Sequence, residues 1–391
     1  VKTLFGLAVR NLRGAGLRTG LNAFSLSIAF VAIIFGQGLL QGVNRQAEQA
    51  SVEYEVGGGQ LWQRDYDPYN RSSLSKARQE IPAQLEQPIA NQQAVPILVC
   101  PGMVIYAGML IPVTVRGIPA GQQVLKIPSA VLNDTGALLP VLLGQRMAAA
   151  TGLARGDTLR LQVRDKDFRV VTVRAQVKAV MTTPVPTFDE GQVWVAIERL
   201  WQLTGLEHQA TVITLRPGYK FKNADLPGWN FQSPELLLKD LRQMVSTKSA
   251  GQSIFFLLLF LLAMLAIFDT QVFSIFRRRR EIGTLVALGM TRTQVIGLFT
   301  LEGALYGVLA AALGAIYGLP LFVYLNRYGI SFPGGSSWGF ALEERLYPAY
   351  SISLIIGTAL LVLVGATVVS WLPARRIARL KPTDALRGRW Q

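Results

Sequence analysis

Residues 253–325 read SIFFLLLFLLAMLAIFDTQVFSIFRRRREIGTLVALGMTRTQVIGLFTLEGALYGVLAAALGAIYGLPLFVYL. Two apolar runs in this stretch, Ser253–Phe276 and Val295–Leu325, each reach the roughly twenty residues that a helix needs to cross about 30 Å of hydrocarbon. The break between them is structured. After four arginines, Ile282, Leu285, Val286 and Gly289 recur at helical spacing, which predicts a short amphipathic helix over 281–289 with Gly289 as its stop. Thr291 with Gln294 three residues on forms a capping box that starts the next helix. The stretch therefore predicts a membrane hairpin with a folded connection.

Two further runs of the same kind, Leu21–Val43 and Tyr350–Leu372, lie outside it. The composition agrees: of 391 residues 50% are hydrophobic and 16% charged, against about a quarter charged in globular chains. The first run is longer than a signal-peptide core and lacks a small-x-small cleavage pattern, so it reads as an uncleaved anchor. A single cysteine, Cys100, and a single histidine, His208, leave no disulfide framework and little for metal or acid–base chemistry.

A net charge of +15 raises nucleic-acid binding, but its placement argues otherwise. Fifteen bases against two acids stand in three segments: Lys2 to Arg18, Arg277 to Arg292, and Arg375 to Arg389. The loop 326–349 is neutral. By the positive-inside rule both termini and the middle loop are cytoplasmic and the long insertion is exported, and anionic membrane lipids account for the bases without nucleic acid. The reading is a multi-pass protein of a bacterial inner membrane.

The expected fold class is a membrane protein with four transmembrane helices and a large mixed α/β extracytoplasmic domain inserted between helices 1 and 2. Its parts are a cytoplasmic amphipathic helix (1–20), helix 1 (21–43), the exported domain (44–252), helix 2 (253–276), a cytoplasmic coupling loop (277–294), helix 3 (295–325), a short loop (326–349), helix 4 (350–372) and a cytoplasmic tail (373–391). In the exported domain, β-branched runs at 95–99, 111–117, 158–163, 168–180, 193–197 and 210–215 predict strands. Helices are expected at 145–151 and 198–204, each stopped by a glycine. Gly57 to Gly59 lacks the Lys-Ser/Thr of a phosphate loop and reads as a flexible loop. Ser233-Pro234-Glu235 marks a helix start, and with no further Gly or Pro before Gly251 a stalk (234–252) is expected to run unbroken into helix 2. A break at Gly251 is the alternative.

The string RRREIGTLVALGMTRTQVIGLFTLEGALYGVLAAALGAIYG resembles the signature of the FtsX/MacB/LolC-LolE permeases, the mechanotransmission class of ABC transporters. LAVRNLRGAGLRTGLNAFSLSIA resembles their amphipathic and first membrane helices, WLPARRIARLKPTDALRG their tail, and VLLGQRMAAATGLARGDTLRL and FDEGQVWVAIERLWQLTG their periplasmic core. One departure is Arg277, where many members carry an acid.

This resemblance implies a dimer of permeases, with an identical or homologous second copy, working with a cytoplasmic ABC ATPase dimer. No G-x-x-x-x-G-K-[ST] loop occurs, so the ATPase, with its ATP and Mg, is expected in a separate chain, and no cofactor in this one. Arg280, Glu281, Ile282, Leu285, Leu288 and Gly289 become the expected coupling residues. Gln37, Gly38, Gln41 and Gly42 become the expected dimer or substrate surface. Asp269 and Glu302 are the ionisable residues within the spans: Asp269 is expected to pair with a nearby arginine, and Glu302 to make a structural hydrogen bond or to act in coupling. Gly303-x-x-x-Gly307 and Gly314-x-x-x-Gly318 allow close helix packing, expected within the chain.

The expected function is a non-catalytic permease subunit that extracts lipoprotein or another hydrophobic substrate and passes it to a periplasmic acceptor. The alternatives are MacB-like tripartite export of peptides or drugs and FtsX-like activation of a cell-wall hydrolase. No Ser/His/Asp grouping supports an enzyme.

Overall fold

The computed structural model describes every residue except 1, 15, 71–72, 135, 184, 186–188, 220, 222–225, 332–344 and 378–391. Most of the expected tail and of the loop 326–349 therefore lies outside the described residues. In chain order the elements are α1 (Lys2–Gly14), α2 (Leu17–Ser51), β1 (Gln60–Gln63), β2 (Ala94–Tyr106), β3 (Met109–Ile118), β4 (Leu139–Gly144), α3 (Gln145–Thr151), β5 (Thr158–Arg164), β6 (Val170–Met181), β7 (Gln192–Ala196), α4 (Ile197–Thr204), β8 (Val212–Leu215), β9 (Trp229–Gln232), α5 (Lys239–Arg277), α6 (Arg279–Ala287), α7 (Arg292–Tyr328) and α8 (Ile352–Ile377). Two compact units result, one from 1–43, 245–331 and 346–391, the other from 44–244 and 332–345.

Among the described residues, the first unit holds four helices long and apolar enough to cross a membrane, α2, α5, α7 and α8. Its core is shared by all four: Phe30 and Ile34 of α2, Met264 and Ile267 of α5, Ala310 and Phe322 of α7, Val362 and Ala366 of α8. The two glycine motifs of α7 serve different neighbours. A Cβ on Gly303 would collide with Ser370 of α8, and one on Gly314 would stand 2.8 Å from Phe30 of α2, so α7 is held between two helices by backbone-to-side-chain approach that only glycine permits.

The expected unbroken helix from Pro234 is corrected. Pro234–Leu237 is a separate turn, capped by the Ser233 hydroxyl, and the long helix α5 begins only at Lys239. Gly251 does not break it. At 39 residues, α5 is about 58 Å long at about 1.5 Å per residue, nearly twice the hydrocarbon thickness.

The second unit is built on a closed barrel. β2 pairs with β3, β3 with β7, β7 with β4, β4 with β6, β6 with β5, and β5 returns to β2. Its interior is filled from every wall by Leu98, Cys100, Val115, Val141, Leu161, Val177 and Val193, with Met147 of α3 and Leu200 of α4 closing it. Closure needs a close approach at Gly102, where a Cβ would lie 2.7 Å from Val115 and 2.8 Å from the Gln162 carbonyl. β2 is long because it serves twice: Ala94–Ile97 pairs with β8, Leu98–Tyr106 with β3. α3 and α4 both end on left-handed glycines, Gly152 and Gly205.

Two outcomes check this packing. Gly303→Val should lower the stability of the detergent-solubilised chain by about 1–3 kcal/mol, whereas Gly297→Val, with nothing within 4 Å, should leave the melting temperature unchanged. Burial inside the barrel pushes the Cys100 thiol up to about 12, so no thiolate forms near neutral pH. Maleimide should therefore label the folded chain only as fast as the barrel opens, and fully in denaturant.

Candidate coupling site

At the junction of α5 and α6 the helix breaks at Arg278, whose backbone (φ −93°, ψ 11°) is non-helical. The break turns the Arg278 side chain inward. Its Nε donates to Glu281 Oε2 at 2.9 Å, and its Nη1 donates to both carboxylate oxygens of Glu302 at 3.0 and 3.2 Å. Its guanidinium lies 5.3 Å from the centre of the Phe299 ring. Asn11 of α1 donates to Glu302 Oε1 at 2.7 Å. Three segments thus meet at one carboxylate, α1, the α5–α6 junction and α7, and α6 joins them through Glu281 on Arg278.

Glu302 is 4% exposed, so its charge must be matched by ordered donors. Arg278 and Asn11 supply them. Burial works against the Arg278 charge, but its hydrogen bonds and attraction to Glu281 and Glu302 prevail and its pKa is raised. Alongside this network α6 is pinned by Ile282, buried with Ile275, Val295, Phe299 and Ala374, with Val286 and Met290 against the same cluster. Gly289 at φ +98° ends the segment, and Thr291 with Gln294 makes the capping box that starts α7.

The expected coupling residues therefore divide. Ile282 faces inward, Leu285 is half-buried, and Arg280, Glu281 and Gly289 are exposed. Leu288 is 85% exposed, so the apolar stripe of Ile282, Leu285, Val286 and Gly289 is modified: Ile282, Val286 and Met290 form the inner face while Leu288 projects outward. Glu302 makes the hydrogen bonds expected of it. Asp269 does not find an arginine; it is exposed on α5 and has no ion pair among the described residues, because the break at Arg278 directs that guanidinium to Glu302. The Gln37, Gly38, Gln41 and Gly42 surface is also corrected. Gly38 accepts a hydrogen bond from Ala349 N–H at 2.8 Å and packs on Tyr350, and Gly42 packs on Tyr347 and Pro348. Only Gln37 and Gln41 remain accessible.

Arg278 and Asn11 were missed. Asn11 had a signal, since it shares the buried face of α1 with Ala8 and Leu12, and a polar group on such a face needs a partner. Arg278 had none, being one of four identical neighbours.

In the sheet unit, Cys100 is buried, and His208 occupies a left-handed turn with its ring on Trp201, centroids 5.4 Å apart. Among the described residues no cluster of three His, Cys, Asp or Glu side chains could hold a metal ion.

Residues 253–382, which include α6, Arg278 and Glu302, match the family described as FtsX-like permease C-terminal. That third of the chain, within the membrane unit, is thus similar to an FtsX-like permease domain. Among curated proteins, the chain resembles the macrolide export ATP-binding/permease protein MacB of Salmonella choleraesuis, 30% identical over 181 residues, 46% of this chain and 25% of that one. It also resembles MacB 1 of Yersinia pestis bv. Antiqua, 27% identical over 179 residues, 45% of this chain and 24% of that one. The chain thus spans about a quarter of the length of these relatives. Among solved structures, the periplasmic region of MacB from Actinobacillus actinomycetemcomitans matches 48% of this chain and 94% of its own, with a TM-score of 0.33 and 9% identity.

Removing one member of the network should expose its role. Arg278→Ala leaves Glu302 buried without its cation and should cost about 3–5 kcal/mol, read as a fall in melting temperature. The paired replacement Arg278→Met with Glu302→Leu should recover most of it. Equal losses in the single and double variants would contradict the geometry.

Proposed function

We propose that this chain is the permease subunit of an ABC transporter that couples ATP hydrolysis in a separate cytoplasmic ATPase dimer to work on the far side of a bacterial inner membrane. The observation that carries the reading is α6, a short helix fastened to the bundle by Ile282 and Arg278 while Leu288, Arg280 and Thr284 face outward. A helix so fixed passes a push to α5 and α7 instead of yielding locally. The basic segments support a cytoplasmic position for it and for both termini, with ATP and Mg belonging to the partner. The length of α5 lets one rigid element continue the movement towards the sheet unit. A second permease copy completes the assembly, with the lipid-exposed Asp269 of α5 as a candidate contact.

The work is extraction of a lipid-anchored substrate, a lipoprotein, for transfer to a periplasmic acceptor. The barrel offers a surface for such an acceptor: Leu110, Ile105, Arg160 and Arg174 are opposite one another across four strands on one face. Leu110 is 61% exposed and both arginines are exposed. Like charges placed directly opposite destabilise a sheet, so this pair suits an acidic partner. The MacB relatives favour a second reading, export of a peptide or drug through an adaptor.

Leu288→Asp should weaken association with the cognate ATPase at least about thirtyfold, as loss of a central apolar anchor does, with insertion and melting temperature unchanged. Unaltered ATPase binding would remove α6 from the interface. Mass spectrometry of species bound to the purified complex separates the cargoes: triacylated lipoprotein supports extraction, and peptide or drug supports the export reading.

A further inference from the structure

α1 packs one face on α7 through Ala8, Asn11 and Leu12 and leaves the rest uncovered. On the open side Phe5 is 50% exposed, and Arg10 and Arg13 are exposed. The helix contains no acid, and neither arginine has an ion-pair partner among the described residues. The two nearest carboxylates of the network, Glu281 and Glu302, are both taken by Arg278. At 100° per residue, Phe5 and Val9 adjoin the packed face and Arg13 and Arg10 follow them round the helix. Apolar side chains beside cations are the arrangement of a helix lying at the headgroup level.

Depth agrees with that placement. Glu302, which Asn11 touches, is ten residues into α7 from Arg292, about 15 Å from its start. Since α7 exceeds the hydrocarbon thickness by about 25 Å, that point falls near the boundary of the apolar layer. Leu17, at the start of α2, is 82% exposed.

We propose that the open face of α1 binds anionic phospholipid headgroups of the surrounding membrane, and that occupancy is passed to α6 through Asn11, Glu302 and Arg278. Arg10 and Arg13 hold the phosphates while Phe5 and Val9 enter the acyl boundary. Because Asn11 shares the carboxylate that fixes Arg278, settling α1 on the membrane steadies α6. A neutral membrane leaves α1 with apolar contact alone, and α6 less firmly held.

The test uses the full chain in nanodiscs of phosphatidylcholine, with and without phosphatidylglycerol, read by hydrogen–deuterium exchange without any ATPase, so it is independent of the assigned transport role. Phosphatidylglycerol should slow exchange over 2–14 by about fivefold or more, as expected from about 1 kcal/mol for each basic residue near an anionic surface, and should also slow exchange over 279–287. Arg10→Glu with Arg13→Glu should abolish both effects, and Arg10→Lys with Arg13→Lys should keep them. Asn11→Ala should keep the protection of α1 and lose that of α6. Equal exchange of 2–14 in the two membranes, or protection that survives the glutamate pair, would overturn the binding surface. Protection of 279–287 that survives Asn11→Ala would overturn the relay.

Discussion

A carboxylate buried where helices converge is the constraint on which the membrane unit turns. An isolated charge in such a place is too costly to keep, so Glu302 demands donors from outside its own helix. The chain meets that demand by interrupting α5 at Arg278 and by bringing α1 alongside α7. The interruption creates α6 as a separate helix, and its own apolar residues, Ile282 and Val286, pack it against the bundle. Breaking one helix thus has two results: a satisfied carboxylate and a short element whose outer face is free.

The same economy of contacts governs the four long helices. α7 is the centre, with one glycine motif against α8 and another against α2, so its position is set from both sides. The sheet unit solves a different problem, the exposed edge. Closing six strands into a ring leaves no free edge among them, and β2 extends past the ring to carry β8, β1 and β9.

Much of this was legible in the sequence. Apolar length marked the four helices, and turn chemistry marked their ends: the Thr291 capping box and the glycines after α3 and α4 are all present. Closure of the barrel was not legible, because periodicity names strands and leaves their pairing open. β4, LPVLLG, was missed since it is buried on both faces and does not alternate. The break at Leu238 was missed because neither glycine nor proline stands there. The family resemblance alone points Gly38 and Gly42 to a dimer or substrate surface, and their contacts with Tyr347 to Tyr350, far away in sequence, were not legible. Arg278 was hidden among equals: composition shows four arginines, and only geometry tells which one turns inward.

Attachment of α6 to the bundle is measurable. Spin labels at Thr284→Cys on α6 and Val308→Cys on α7, both on exposed positions, in a Cys100→Ser background, report the distance between the two helices by electron–electron resonance. A narrow distribution is predicted with Arg278 in place, and a broad one after Arg278→Ala. An equally narrow distribution in both chains would contradict the claim that the Arg278–Glu302 pair fixes α6 to α7.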